Sequence, residues 1–215
     1  MQKLIALTIA VMATGCMTSN GSGGGGTGGG LGNTQGNQTA SCSAANCAGC
    51  CSGGVCFAGN TNSTCGAGGK LCGACYGPDV CFTDGTCGLD PAAKWIAQPV
   101  SAQIASSNNG SSWDGDGSPP DVIVTTTCPG GSIGVTAQVE SYNPTWAQTG
   151  GCTATAQDLL TKDLTFSLID SDVAFDDTIT GNVTYGVTTA DLRAGGVSLG
   201  AVQGINGITY TFTLK

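Results

Sequence analysis

The chain has 215 residues, a net charge of −8 and no histidine. Six Lys and Arg against 14 Asp and Glu cannot neutralise a phosphate track, which argues against nucleic acid as a partner. Without histidine, most nucleophile–base dyads and the commonest zinc ligand are gone, and 13 cysteines point to an oxidising compartment.

Residues 1–15, MQKLIALTIAVMATG, start with a single Lys3 and continue into an apolar run, Leu4–Ala13. The run is too short to span a bilayer and fits the core of a signal peptide. It ends in Ala13-Thr14-Gly15-Cys16, which resembles the lipobox of bacterial lipoproteins, with Ala13 where Leu is usual. The resemblance implies cleavage before Cys16, which becomes the lipidated N-terminal residue and carries acyl chains. More than one acyl chain makes membrane anchoring stable. The alternative is an ordinary secretory signal with an incidental cysteine. Met17 stands where Asp would favour retention at the inner membrane, so the expected location is the bacterial cell envelope, at the outer membrane. Residues 16–41 then form the lipidated Cys and a Gly/Ser-rich linker, GSGGGGTGGGLG included, from which no core can be built. A flexible tether of about 25 such residues reaches roughly 25–30 Å.

Residues 42–90 form a Cys-rich module, with cysteines at 42, 47, 50, 51, 56, 65, 72, 75, 81 and 87. Large apolar residues are few, so covalent staples must replace a hydrophobic core. An internal repeat at an offset of 25 relates Cys47, Cys50, Val55, Cys56 and Phe57 to Cys72, Cys75, Val80, Cys81 and Phe82. It predicts two similar half-modules of turns and hairpins. Cys47-x-x-Cys50 with Cys72-x-x-Cys75 also has zinc-ribbon spacing, but export and the six surrounding cysteines favour disulfides. Setting Cys16 aside leaves an even number of cysteines, enough for five bridges within the module. The segment resembles the Cys-rich stretches behind the tether of exported lipoproteins in myxobacteria-like organisms, a resemblance that implies no known activity.

Residues 94–215 change character: cysteines nearly vanish and alternating apolar runs appear. These are Val122/Val124, Ile133/Val135/Ala137/Val139, Leu164/Phe166/Leu168 and Ile208/Tyr210/Phe212/Leu214, separated by turns such as CPGG, YNPT and GING. Short strands at this spacing without a helical period predict an antiparallel β-sandwich or barrel, so the fold class is mainly β. Trp95, Trp146 and Phe166 are expected in its core. Cys128 and Cys152 are the two cysteines left over, and a bridge between them is expected.

Two acidic segments stand out. One is Trp113–Asp121, WDGDGSPPD, whose Gly and Pro residues mark a loop. The other follows the strand pattern of Leu164–Ile169 and carries Asp170, Asp172, Asp176 and Asp177. Two unit charges ~4 Å apart repel by about 4 kcal/mol at an effective dielectric of ~20. The loops therefore either splay into water, each Asp capping its own turn, or share a cation. If they meet at one end of the sandwich, a hard ion accepting six to eight oxygens is the natural partner, which selects Ca²⁺ over Mg²⁺ and Zn²⁺.

Three motifs within residues 95–214, in order, resemble those of C2 domains: PPDVIV closing an Asp-containing loop, Asn143-Pro144-Thr145-Trp146, and LTFSLIDSDVAFDDTI. The resemblance covers residues 95–214 and implies an eight-stranded sandwich that binds Ca²⁺ and phospholipid. Position by position it makes Asp114 and Asp121 first-loop ligands, and Asp170, Asp172 and Asp177 third-loop ligands. Asp116 and Asp176 have no counterpart. Asp121 is followed by Val-Ile-Val rather than Pro-Tyr-Val, and the Lys-rich strand that binds inositol lipids in some members is missing. Val173 and Phe175 occupy the tip that can enter a bilayer in this family; the alternative is that Phe175 folds back on the sandwich edge.

The expectation is a non-enzymatic, lipid-anchored envelope protein. Its sandwich would bind Ca²⁺ through acidic loops and then a phospholipid head group or an envelope protein. The alternative is a metal-free sandwich for structural or protein contact on a Cys-rich spacer. A glycosidase built on two carboxylates fits crowded loop tips poorly.

Overall fold

The structure is a computed structural model that describes residues 41–147, 149–172 and 175–215. Cys16 and the signal and tether segments lie outside the described residues.

The Cys-rich segment is built from three hairpins. Strand β1 (Cys50–Ser52) pairs with β2 (Val55–Phe57), β3 (Asn60–Thr61) with β4 (Thr64–Cys65), and β5 (Asp79–Cys81) with β6 (Cys87–Leu89). Five bridges close within it: Cys42–Cys51, Cys47–Cys56, Cys50–Cys72, Cys65–Cys81 and Cys75–Cys87. The zinc-ribbon set is thereby ruled out, because its four sulfurs belong to three different disulfides. The pairing also departs from the 25-residue repeat. Cys47 bonds Cys56, but the repeat-related Cys72 bonds Cys50, tying the two halves together. Few side chains here are buried, Cys47, Cys50 and Cys65 among them, as expected of a segment held by staples.

The sandwich follows. Its strands are β7 (Lys94–Ile104), β8 (Asp121–Thr127), β9 (Ile133–Val135), β10 (Val139–Glu140), β11 (Cys152–Thr155), β12 (Leu164–Asp170), β13 (Asp177–Tyr185), β14 (Gly196–Leu199) and β15 (Ile205–Leu214). One sheet has the order β10-β8-β12-β13 with β9 also on β8; the other is β11-β7-β15-β14, and all pairings are antiparallel. Alternation sets what faces the core. In β12, Leu164, Phe166 and Leu168 point inward between half-buried neighbours. Val122, Val124 and Thr126 of β8 and Ile208, Tyr210 and Phe212 of β15 meet them from their own sheets. The Thr126 hydroxyl and the Tyr210 phenol, both fully buried, satisfy each other across the core at 2.8 Å. Trp95, Trp146 and Phe166 lie in this core. Cys128, just past β8, is bonded to Cys152 of β11 as expected, joining the two sheets.

Two features differ from the sequence pattern. The run Ile133–Val139 is not one strand: it breaks between β9 and β10, and Ile133 and Val135 face solvent. Helices α1 (Ala156–Thr161) and α2 (Thr189–Ala194) also appear, each six residues long and too short to show a period. Each is instead capped at its start by a threonine, Thr155 and Thr188, whose hydroxyl accepts from the N–H of Asp158 and Asp191 respectively.

Candidate metal centre

Both acidic segments leave the same end of the sandwich. Residues 105–120 connect β7 to β8, and residues 171–176 connect β12 to β13. The register explains their meeting: Asp170, the last residue of β12, stands beside Val122 of β8 and across from Asp177 of β13. The alternation that buries Leu164, Phe166 and Leu168 carries on for one more step, so Asp170 also points inward and is fully buried.

Asp170 is held by its neighbours' backbone. The Asp121 N–H donates to Asp170 Oδ1 at 2.6 Å, and the Asp121 carbonyl accepts from the Ser171 N–H at 2.9 Å. The other oxygen, Asp170 Oδ2, is buried and has no hydrogen-bond partner. In the first loop, Trp113 is buried and its indole N–H donates to the Ala105 carbonyl at 2.8 Å, anchoring the residue before Asp114. A turn follows, closed by Gly117 N–H to the Asp114 carbonyl at 3.0 Å, with Gly117 at φ 84°, where a side chain would be strained. Ser118 Oγ donates to Asp114 Oδ2 at 3.1 Å and to Asp116 Oδ1 at 2.7 Å.

The result is a cluster: one carboxylate oxygen each from Asp114, Asp170 and Asp172 lies within 4.8 Å of the others. The electrostatics reflect this crowding. Burial pushes the Asp170 carboxyl up to about 6, and the charges of Asp114, Asp172 and Asp121 add to it, against the Asp121 N–H. Asp172 is also raised, first by desolvation, then by a hydrogen bond and charge from Asp114, with Asp177 and Asp121 contributing. Asp116 is different. Its carboxyl is held below the usual range by the Ser118 N–H and hydroxyl, so it serves its own turn.

Of the residues proposed from sequence as ligands, Asp114, Asp170 and Asp172 therefore form the cluster. Asp121 presents its backbone to Asp170, and its charge and that of Asp177 reach the cluster. Asp176 and Asp177 are solvent-exposed at the start of β13. Phe175 is 86% exposed. Val173 lies outside the described residues. Sequence reasoning missed Ser118, Ser171 and Trp113 as the groups that fix the loops. The Asp-Gly-Asp-Gly-Ser run is the recognisable mark of Ser118's turn. A buried tryptophan and a backbone N–H leave no comparable mark.

The donors are carboxylate oxygens, with no histidine in the chain and every cysteine from 42 to 152 engaged in a disulfide. A buried carboxylate with one oxygen unpartnered, clustered with two further carboxylates, is the arrangement a hard cation completes. The donor set thus fits Ca²⁺.

No protein-family model matches the sequence, and no curated protein matches it. The solved structures to which the chain is similar include C2 domains. One holds the two C2 domains, A and B, of extended synaptotagmin 2, at 16% identity and a TM-score of 0.42, covering 58% of this chain and 42% of that one. Another is the C2 domain A of plant extended synaptotagmin 1, at 14% identity and a TM-score of 0.38, covering 59% of this chain and 98% of that one. The chain thus spans less than half the length of the first.

Proposed function

We propose that the acidic pole of the sandwich binds Ca²⁺, and that the calcium-loaded pole docks on a phospholipid surface. The observation that carries this reading is that Asp170, which keeps one buried oxygen without a partner, brings a carboxylate oxygen within 4.8 Å of Asp114 and Asp172. Asp114, Asp170 and Asp172 would hold the ion, with Asp121 and Asp177 supplying further negative charge. The ion would neutralise the pole and offer open coordination positions to an anionic head group. Phe175, exposed in the same β12–β13 loop as Asp172, would supply an apolar contact for the bilayer. The role we propose is binding rather than catalysis, since three carboxylates crowded at a loop tip, with no histidine in the chain, make a poor acid–base pair. Acylation at Cys16 would place the protein in the bacterial envelope, at the outer membrane, with the Cys-rich segment as a spacer.

Calorimetric titration of the full chain with CaCl₂ tests the calcium step. Extracellular calcium modules bind at about 10⁻⁴–10⁻³ M. At 100 times such a dissociation constant the folded state gains about 2.7 kcal/mol, a readily measured thermal shift. Absence of both heat and thermal shift at 10 mM CaCl₂ would remove calcium and leave a metal-free interaction sandwich.

A further inference from the structure

We propose that the Cys-rich segment is not a swivelling spacer but is locked to the sandwich as one rigid body, with Asp79 and Arg193 as the latch. It is seated at the pole opposite the acidic loops. The inference does not rest on the calcium reading.

The two parts are joined at the open end of the β5–β6 hairpin. Asp79 of β5 stands directly across from Leu89 of β6. Leu89 packs against the sandwich core, and Asp79 receives a two-pronged bond from Arg193 of α2, Nε to Oδ1 at 3.0 Å and Nη2 to Oδ2 at 2.8 Å. The hairpin is thus held along both of its strands at once. Its rigidity comes from Cys65–Cys81 on one strand and Cys75–Cys87 on the other.

The receiving side is equally fixed. The carboxylate of Asp191 accepts from the Thr188 N–H and hydroxyl and from the Tyr185 phenol, Leu192 is buried, and Gly195 ends the helix in the left-handed region. Arg193 therefore projects from a helix that cannot roll. The connection also has no slack. Between Leu89 and Lys94 the chain makes one turn, closed by Ala93 N–H to the Asp90 carbonyl at 3.1 Å. The carbonyls of Pro91 and Ala93 then accept from Gln157 and Ala156 in the first turn of α1.

An exposed ion pair contributes little to stability, but bidentate Arg–carboxylate geometry is the favourable case, and the Asp79 side chain is only 14% exposed. The latch acts on orientation. β7 begins at this seam and ends at the acidic pole, and its 11 residues span about 35 Å at ~3.3 Å each. The acidic cluster is consequently held at a fixed aim from the point where the N-terminal part of the chain is attached.

Backbone ¹⁵N relaxation of the full chain tests this. In the wild type, amides of residues 60–89 and of the sandwich strands should report one rotational correlation time. Arg193→Ala, or Asp79→Asn should one variant fail to fold, should make the Cys-rich amides tumble at least 1.5-fold faster than the sandwich. The charge-reversed pair Asp79→Arg/Arg193→Asp should bring the two times back together. Two distinct times in the wild type, or a single shared time in both single variants, would overturn the proposal.

Discussion

Asp170 concentrates the chemistry of this protein in one side chain. Its ordinary value as a carboxyl is 3.8, and in the fold it rises to about 6, chiefly through burial. The folded chain therefore keeps a proton that the unfolded chain has released. Stability is fullest below the unfolded value and declines as pH rises through about 4 to 6. Asp170→Asn removes this ionisation. Its carbonyl still accepts from the Asp121 N–H, and its amide group faces the carboxylates of Asp114 and Asp172. We predict that, in chelator, the variant shows a smaller decline than the wild type between pH 4 and 6, since Asp172 is still present, and is the more stable of the two at pH 7. Added CaCl₂ should stabilise the wild type at pH 7 and leave the variant unmoved. Urea midpoints against pH, with and without calcium, check both statements. Because the ion competes with the proton, apparent calcium affinity should also weaken as pH falls from 7 to 5, read by titration at each pH. The sequence made Asp170 legible as the first carboxylate of an acidic run that follows a strand pattern, but not its burial, which continues the alternation of Leu164, Phe166 and Leu168. It did not reveal the Asp121 N–H bond, because a backbone donor has no residue type to announce it.

At the scale of elements, strands were legible where one face is buried and the other wet, as in β8, β12 and β15. The rule failed at Ile133–Val139. There Gly134 packs inward against the Gly150–Gly151 turn, too close for any side chain, and Ile133 and Val135 are left outside. Apolar alternation reports a two-faced strand, not which face is covered. In the Cys-rich segment the five internal bridges were legible from the cysteine count, but their pairing was not: the 25-residue repeat does not say which sulfurs the fold brings together. The Cys128–Cys152 bridge joins the sheets where β9 and β11 meet at the seam. It closes a loop with a sequence separation of 24. A loop of about that length restricts the unfolded chain by about 3–4 kcal/mol. We predict that Cys128→Ala/Cys152→Ala lowers unfolding stability by about that amount without changing the calcium heat, because the bridge lies away from the acidic loops. Chemical denaturation and calorimetry on the same preparation separate the two effects.

Taken as a whole, the molecule carries its charge unevenly. Of 14 acidic residues, Asp114, Asp116, Asp121, Asp170, Asp172, Asp176 and Asp177 crowd one pole, while the helices and the Cys-rich segment occupy the other. Such a pole repels an anionic surface on its own, and repulsion between exposed charges extends about 8 Å at physiological ionic strength. Phe175 sits within this field, so its apolar ring reaches a bilayer only when the surrounding charge is cancelled. Full burial of a phenylalanine contributes about 1.5–3 kcal/mol, equivalent to roughly 10- to 150-fold in partitioning. Phe175→Ser should therefore leave calcium titration unchanged, yet weaken calcium-dependent sedimentation with phosphatidylserine-containing vesicles by about tenfold or more. Wild-type binding to the same vesicles should vanish when calcium is chelated. Equal vesicle binding by wild type and variant would show that head-group contacts suffice. Binding that persists in chelator would show that the acidic pole is not the face that meets the lipid.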